Sequence, residues 1–563
     1  MSWTRLCSFL TLALTFAAAV GTAAPRTEYR GFWVDTFNST LNNHADVETI
    51  VGQAKSAKAN ALFVQVRRRG DAWYLNSLEP LPDFIPIVSG FDPLLDLIQT
   101  AHAVNIEVHA FVIMGAIWNK NPTFAPTATL GPPTSPAHVF NQHGGFDPST
   151  GRIEPGPNNW LTRSLLPDGT AGITFQGHRF GAEFWLDFGH PDAAGYSVDV
   201  LMHLVRTYDI DGLHLDRIRY PEFSATGQTP STGANIGYNA VSVWRFQERY
   251  GISHDAPPPA PGDPLWAQWR RDQVTNIVRR IYLNALAIRP KLIISASLIA
   301  FGGGPGPAEE SWQSAEAYWR VYQDWRAWTE EGILDIAIPM NYKREEIVQQ
   351  AGWFDQWTAW TRNHQYNRGA MMGLGVYLNG IEGTLRQTRR VLLESPALLG
   401  VNFYSLANPD AAVAANPYSI PEPGQATPVR GIGEFAAALT TGKSQDGSTA
   451  YESPDLAPVG GEDAIVPRLE WKFAPKNGNL MGFALRAGDG SAPLDAASIY
   501  VFDAAGSLVR TTAADGGGFF GAVDLPPGEY VVVIAKGADR RVSAPLLVKA
   551  GEVSLVFFPG SLI

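Results

Sequence analysis

Eight short apolar stretches recur between residues 29 and 406, with amphipathic stretches between several of them, and this alternation limits the fold more than any other feature. They are YRGFWVDTF (29–37), ALFVQVR (61–67), IEVHAFV (106–112), DGLHLDRI (211–218), LIISASL (292–298), DIAIPMNY (335–342), MMGLGVYL (371–378) and LGVNFYSL (399–406). Intervening segments such as HADVETIVGQAKSAKA (44–59) and DPLLDLIQTAHAVN (92–105) repeat their apolar residues at helical spacing. Strands that alternate with helices pair in parallel, and eight of them at these spacings indicate a closed barrel instead of an open sheet. The expected fold class is therefore α/β, a (β/α)8 TIM barrel with long insertions.

The insertions follow the third and fourth strands. Residues 116–185 are rich in Gly, Pro, Thr and Asn, and residues 222–265 include the proline run APPPAPGDP (256–264). Segments that follow barrel strands emerge on the C-terminal face, where the active sites of this architecture lie. Trp160, Phe175, Phe180, Phe184 and Trp185 give the first insertion apolar anchors, so it is expected to wall a cleft. The barrel spans residues 29–440. Residues 441–466, rich in Gly, Ser, Asp and Pro, read as a linker with few contacts across it. Residues 467–563 carry alternating stretches such as SIYVFDAAGSLVRTT and GFFGAVDLPPGEYVVVIA, the pattern of a small all-β sandwich. Its DAAG turn and LPPGEY segment resemble Ig-like/transthyretin-like modules, which implies an accessory domain.

Residues 1–23 have the pattern of a secretory signal peptide: Arg5, an apolar run from Leu6 to Val20, then small residues Gly21 to Ala24. The run is shorter than the roughly 20 residues of a spanning helix, and no second run of that length follows. A secreted or periplasmic/cell-envelope protein without a membrane span after signal removal is expected. The single cysteine, Cys7, lies inside the signal, so the mature chain has no disulfide or thiolate chemistry. The net charge of −11, from 43 basic and 54 acidic residues, comes without a Lys/Arg stripe, and nucleic acid is not an expected partner. The 17 tryptophans suit either barrel packing or stacking on sugar faces.

Residues i and i+2 of a strand point the same way. In DGLHLDRIRYP (211–221) this sets His214 and Asp216 on one face and Leu213 and Leu215 on the other, which suits the helix layer. Asp216 falls near the strand's C-terminal end, where a carboxylate is hard to explain by packing, because burying an unpaired charge is costly. The same parity groups Trp33 with Asp35, Gln65 with Arg67, Glu107 with His109, and Asp335 with Asn341; Tyr377 and Tyr404 lie near the ends of the last two strands, and Asp71 follows the second. Glu107 and Asp335 sit at strand starts and read as structural. His109 suits a core histidine as well as a ligand contact.

RGFWVDTFN (30–38), QVRRRGDAWY (65–74), WLDFGHPDA (185–193), DGLHLDRIRYP (211–221), RRDQV (270–274) and DIAIPMNY (335–342) together resemble the glycosyl hydrolase-like family 10, over residues 29 to about 440. The family includes secreted bacterial proteins related to a cell-wall glycan hydrolase, so the resemblance implies a TIM-barrel glycosidase acting on a polysaccharide. Arg67, Asp71, Asp187, His214, Asp216, Asn341 and Tyr342 are the polar positions matching its motifs. The chain departs from the family at Phe188, where a proline is commoner. DGLHLD is also similar, more remotely, to the strand that carries the aspartate nucleophile of amylase-type barrels.

Glycoside hydrolysis usually needs two carboxyl groups. Asp216 is expected as nucleophile or base, with Asp187 or Asp71 as the second group. Arg67, His109, His214, Asn341, Tyr342, Tyr377 and Trp33 are expected to contact substrate, a polysaccharide or cell-wall glycan. No cofactor is expected. One alternative is a non-catalytic glycan-binding barrel; another is a metal-dependent hydrolase of glycan substituents, using His109, His214 and Asp216 as ligands. There is no HExxH, EF-hand loop or Cys cluster, and no GxSxG elbow or P-loop. The sugar, its linkage, the stereochemical outcome and the oligomeric state are written in no motif.

Overall fold

The computed structural model describes residues 26–83, 85–119, 133–147, 152–153, 156–165, 179–180, 183–222, 228–410, 430–448, 450–486 and 492–558. The expected signal peptide and Phe175 lie outside them. Strands β1 (Tyr29–Val34), β2 (Ala61–Arg67), β3 (Glu107–Ile113), β4 (Gly212–Asp216), β5 (Ile293–Ile299), β6 (Ile336–Met340), β7 (Gly369–Gly375) and β8 (Gly400–Tyr404) close into one parallel barrel in sequence order. The expected helices lie between them. His44–Ser56 is capped by Asn43 and buries Val47, Ile50, Val51 and Ala54, and Pro93–His102 is capped by Asp92. The seventh strand ends earlier than its apolar run, and Val376–Leu378 forms a 3-10 turn that lifts Tyr377 onto the C-terminal rim.

In the first insertion Ala116–Asn119 pairs antiparallel with Glu183–Trp185, which brings the chain back to the barrel. The return is close: a side chain at Gly115 would collide with the Trp185 ring, and the Leu186 amide donates to the Gly115 carbonyl at 2.9 Å. Ile117, Phe140, Leu161 and Phe184 give this part its own apolar core. Tyr238, Phe246, Trp266 and Trp269 form another, under the second insertion.

The C-terminal part is all-β. Strands β9 (Gly478–Phe483), β12 (Phe519–Leu525) and β16 (Val553–Val556) form one sheet. The other contains β10 (Ser498–Asp503), β11 (Leu508–Ala513), β13 (Gly528–Lys536), β14 (Asp539–Val542) and β15 (Leu546–Val548). Leu480, Ile499, Val501, Phe520, Val532 and Ile534 fill the space between the sheets. Phe519 and Val523 join the barrel's core, and Arg245–Asp495 (2.7 Å), Arg280–Asp515 (3.4 Å) and Arg368–Asp524 (2.9 Å) pair barrel with sandwich. A polar cavity of about 170 Å³ lies between the Pro264–Ile288 helix and the sandwich, on a different side from the site described below.

The stretch expected to be a linker is threaded along the barrel. Arg30, at the start of β1, donates to the carbonyls of Gly460 (3.2 Å) and Glu462 (2.6 Å), and Tyr451, Leu456 and Val459 enter the barrel's core. Just beyond, Trp471 and Lys472 reach Asp335 at the start of β6. Gly, Ser, Asp and Pro reported correctly on the scarcity of regular structure there; they carried no information about contact.

Candidate functional site

The floor of the barrel's mouth is built around His214. Its ring accepts a hydrogen bond from the Trp33 indole at Nε2 (2.9 Å) and contacts Ser297 Oγ at Nε2 (2.8 Å) and Ser295 Oγ at Nδ1 (2.9 Å). An indole N–H can only donate, so Nε2 is the bare nitrogen and Nδ1 carries the proton toward Ser295. Burial, with the neighbouring His109 adding to it, holds the His214 pKa well below the ordinary histidine value. A neutral imidazole therefore locks Trp33, and both ring nitrogens are occupied.

Above this floor stand three tyrosines. Tyr342 stacks on Tyr404 with ring centres 5.6 Å apart, and Tyr377 meets both edge-on at 5.9 and 5.7 Å. Trp33 touches Tyr342 and Tyr404 at 6.3 and 6.1 Å. Burial raises the pKa of Tyr342 and of Tyr404, and the charges of Asp216 and Asp35 add to the effect at both phenols. The two carboxyl groups thus act on the same aromatic wall.

Asp216 ends β4 and is partly exposed. Among the described residues no side chain donates to its carboxylate. Burial raises its pKa by more than Arg217, Arg219 and the Arg217 amide lower it, and Glu183 raises it further. Arg217 takes a left-handed backbone, φ 49°, directly after Asp216; its guanidinium lies 5.6 Å from the Trp185 ring and pairs with Glu183. Arg69 holds the other oxygen of Glu183 at 2.8 Å. Asp35, after β1, is 1% exposed: one oxygen accepts from the Phe37 and Asn38 amides and the Asn38 side chain, and burial raises its pKa.

Of the expected site residues, Trp33, His214, Asp216, Tyr342 and Tyr377 come together here. The others do not. Arg67 is 2% exposed and spends its guanidinium on Glu79, at 2.7 Å for both Nε and Nη2, and on the Ile113 carbonyl. Asp71 folds back to accept the Arg68 (3.0 Å) and Arg69 (2.8 Å) amides, closing its own loop. Asp187, fully buried, accepts from Gly189 N (2.9 Å), Ser242 Oγ (2.9 Å), Tyr220 Oη (3.2 Å) and Asn239 N (3.4 Å), so it ties both insertions together and is no free carboxyl group. His109 stacks on Phe63 at 4.4 Å deep in the barrel, in space that only glycine at 212 leaves open. Asn341 turns outward and donates to the Phe354 carbonyl at 2.9 Å, because β6 has ended and strand parity no longer applies. With His214 occupied and His109 away from the mouth, the two-histidine metal site is not assembled. Among the described residues no group of three or more His, Cys, Asp or Glu is placed to hold a metal ion.

Glu183, Arg69, Arg217 and Ser297 are site residues that the sequence reading missed. Glu183 lies two residues before the WLDFGHPDA motif, and only that proximity pointed to it.

Comparison with known proteins bears on the same stretch of chain. Residues 163–389 match the family Glycosyl hydrolase-like 10. The matched region contains Glu183, Asp216, Tyr342 and Tyr377, and is narrower than the resemblance drawn from the motifs. The chain is 24% identical over 325 residues to glycosyl hydrolase YngK of Bacillus subtilis (strain 168), covering 56% of this chain and 52% of that protein. It is 23% identical over 290 residues to glycosyl hydrolase DigH of Escherichia coli (strain K12), covering 50% and 54%. The chain thus spans about half the length of the curated relatives it matches. Among solved structures, the glycoside hydrolase domain of PgaB (BpsB) from Bordetella bronchiseptica aligns with a TM-score of 0.43 at 13% identity, over 68% of this chain and 94% of that one. Residues 163–389, which carry β4 to β7 of the barrel and Asp216, are thus similar to a glycosyl hydrolase-like family.

Proposed function

We propose that the mouth of the barrel is the active site of an exported glycoside hydrolase that cleaves a polysaccharide, with bacterial cell-wall glycan as the first substrate to test. The observation that carries this reading is Asp216: a partly exposed carboxyl group at a strand's C-terminal rim, left without a saturating set of donors and pushed toward its protonated form by burial. A carboxyl group whose pKa is raised suits a general acid better than the nucleophile or base expected from its motif. The wall of Trp33, Tyr342, Tyr377 and Tyr404 offers ring faces and edges for a sugar. The C-terminal sandwich then serves as an Ig-like accessory domain, for attachment or spacing.

The mature chain, beginning at Ala24, should release new reducing ends from peptide-free cell-wall glycan strands or from one member of a polysaccharide panel, with products read by mass. Binding to a glycan without any cleavage would favour a non-catalytic barrel, and loss of cleavage on chelation would favour metal-dependent chemistry.

A further inference from the structure

We propose that Glu183, delivered to the barrel mouth by the insertion after β3, is the second carboxyl group of this site and acts as the base toward the attacking water. The assignment rests on the glycosidase reading above. It begins with placement. Phe184 and Trp185 are buried, Leu186 is tied to Gly115, and Glu183 therefore stands at the fixed end of the return strand and not on a free loop. Its side chain is 12% exposed, enough for a small molecule to reach.

One backbone turn then sets both carboxyl groups. Arg217 follows Asp216, and its left-handed conformation sends the guanidinium past Trp185 to Glu183. Arg69, in the loop after β2, holds the other oxygen through Nη2 (2.8 Å) and Nε (3.1 Å). The charged and titratable groups facing this pair are Arg68, Arg69, Arg217, Arg219, Glu222, Tyr342 and Tyr404. Burial pushes Glu183 up, but Arg217 and Arg69 outweigh it and hold it below the ordinary glutamate value, while Asp216 is held above the ordinary aspartate value. Neighbouring carboxyl groups with environments that pull in opposite directions divide into an acid and a base. Other acids nearby are held elsewhere: Asp187 and Asp71 by their own donors, Asp35 out of reach at 1% exposure in a buried turn, and Glu222 outward on Arg219.

The step balances as follows. Asp216 gives its proton to the glycosidic oxygen as the bond from that oxygen to the anomeric carbon breaks. The oxygen of a water bonds to the anomeric carbon, and Glu183 takes that water's proton. Glu183 then returns a proton to solvent and Asp216 takes one up. Both oxygens of Glu183 are in guanidinium contact, so an anomeric carbon could bond to one only by displacing an arginine, whereas a water proton can be taken on a remaining lone pair with both arginines in place. The outcome is inversion at the anomeric carbon.

Three measurements on the full mature chain test this. Glu183→Gln should lose about 10²- to 10⁴-fold in turnover. Arg69→Met should move the acid limb of the kcat/KM profile upward and leave the alkaline limb, which belongs to Asp216, in place. NMR of the first product should show the inverted anomer. Should Glu183→Gln fail to fold, Arg69→Met and the product anomer decide. Turnover in folded Glu183→Gln within about threefold of wild type, an unmoved acid limb, or a retained anomer would each overturn the assignment while leaving the glycosidase reading intact. A wild-type chain that cleaves no glycan overturns both.

Discussion

At the lower end of the barrel Asp335 accepts hydrogen bonds from Trp471 Nε1 (2.8 Å), Tyr282 Oη (3.2 Å) and the Ile294 amide (2.8 Å), and pairs with Lys472 at 2.8 Å. At the mouth Asp216 has arginines nearby but, among the described residues, no side-chain donor on its carboxylate. Both are acids at the ends of barrel strands, and both are largely withdrawn from water. A carboxylate surrounded by donors is a fixed charge that holds elements together, and removing it leaves its partners unsatisfied. A carboxyl group with few donors has a pKa set by burial and a proton free to move. The barrel thus divides its buried acids between stability below and chemistry above, and the C-terminal segment serves the lower end by covering it.

The comparison can be broken first at that cover. A chain ending at Thr440 would lose Trp471, Lys472 and the carbonyls that Arg30 binds. With about 3–5 kcal/mol lost for a broken buried ion pair alone, it should either fail to fold or melt ~10 °C or more below the full chain in calorimetry. A truncated protein with an unchanged midpoint would show that the barrel's lower end needs no cover. A smaller effect is expected from Asp335→Ala: about 3–5 kcal/mol of stability in denaturant unfolding, with turnover per folded molecule unchanged. If this variant instead lost turnover at full stability, the division between the ends would be wrong. The least change is expected at His214. Its ring should remain neutral from pH 5 to 8 in nitrogen NMR, with the Trp33 indole proton unmoved, because its pKa lies well below the ordinary value. Protonation within that window would mean that the floor is not locked.

The barrel was legible because its strands are short apolar runs with helical segments between them, and a periodic pattern survives without tertiary information. Asp216 and His214 were legible for a related reason: GLHLD alternates cleanly, and strand parity holds through its whole length. Parity misled at Asn341, one residue beyond the end of β6. It also said nothing about satisfaction, so Arg67 could not be told from a substrate contact without knowing that Glu79 lies against it. Asp187 was misjudged because two of its donors, Asn239 and Ser242, come from the second insertion, more than fifty residues along the chain. Glu183 was invisible for the opposite reason: a three-residue strand inside a Gly- and Pro-rich insertion has no period to read, and its place is set by Trp185 packing over Gly115.

The central claim is that Asp216 serves chemistry at no benefit to the fold, and Asp216→Asn tests it most directly, with turnover and thermal midpoint measured on the same preparation. The pKa of Asp216 is raised in the folded chain, so its contribution to stability is present below the ordinary aspartate range and is lost as the pH rises through the folded value. Above the folded value the ionised group is a burden, and asparagine removes it. The account predicts a fall in turnover of about 10²- to 10⁴-fold, with a midpoint equal to or above wild type at pH 7 and no such gain below about pH 4. A variant that kept its turnover and melted lower would place Asp216 among the structural acids and contradict the account.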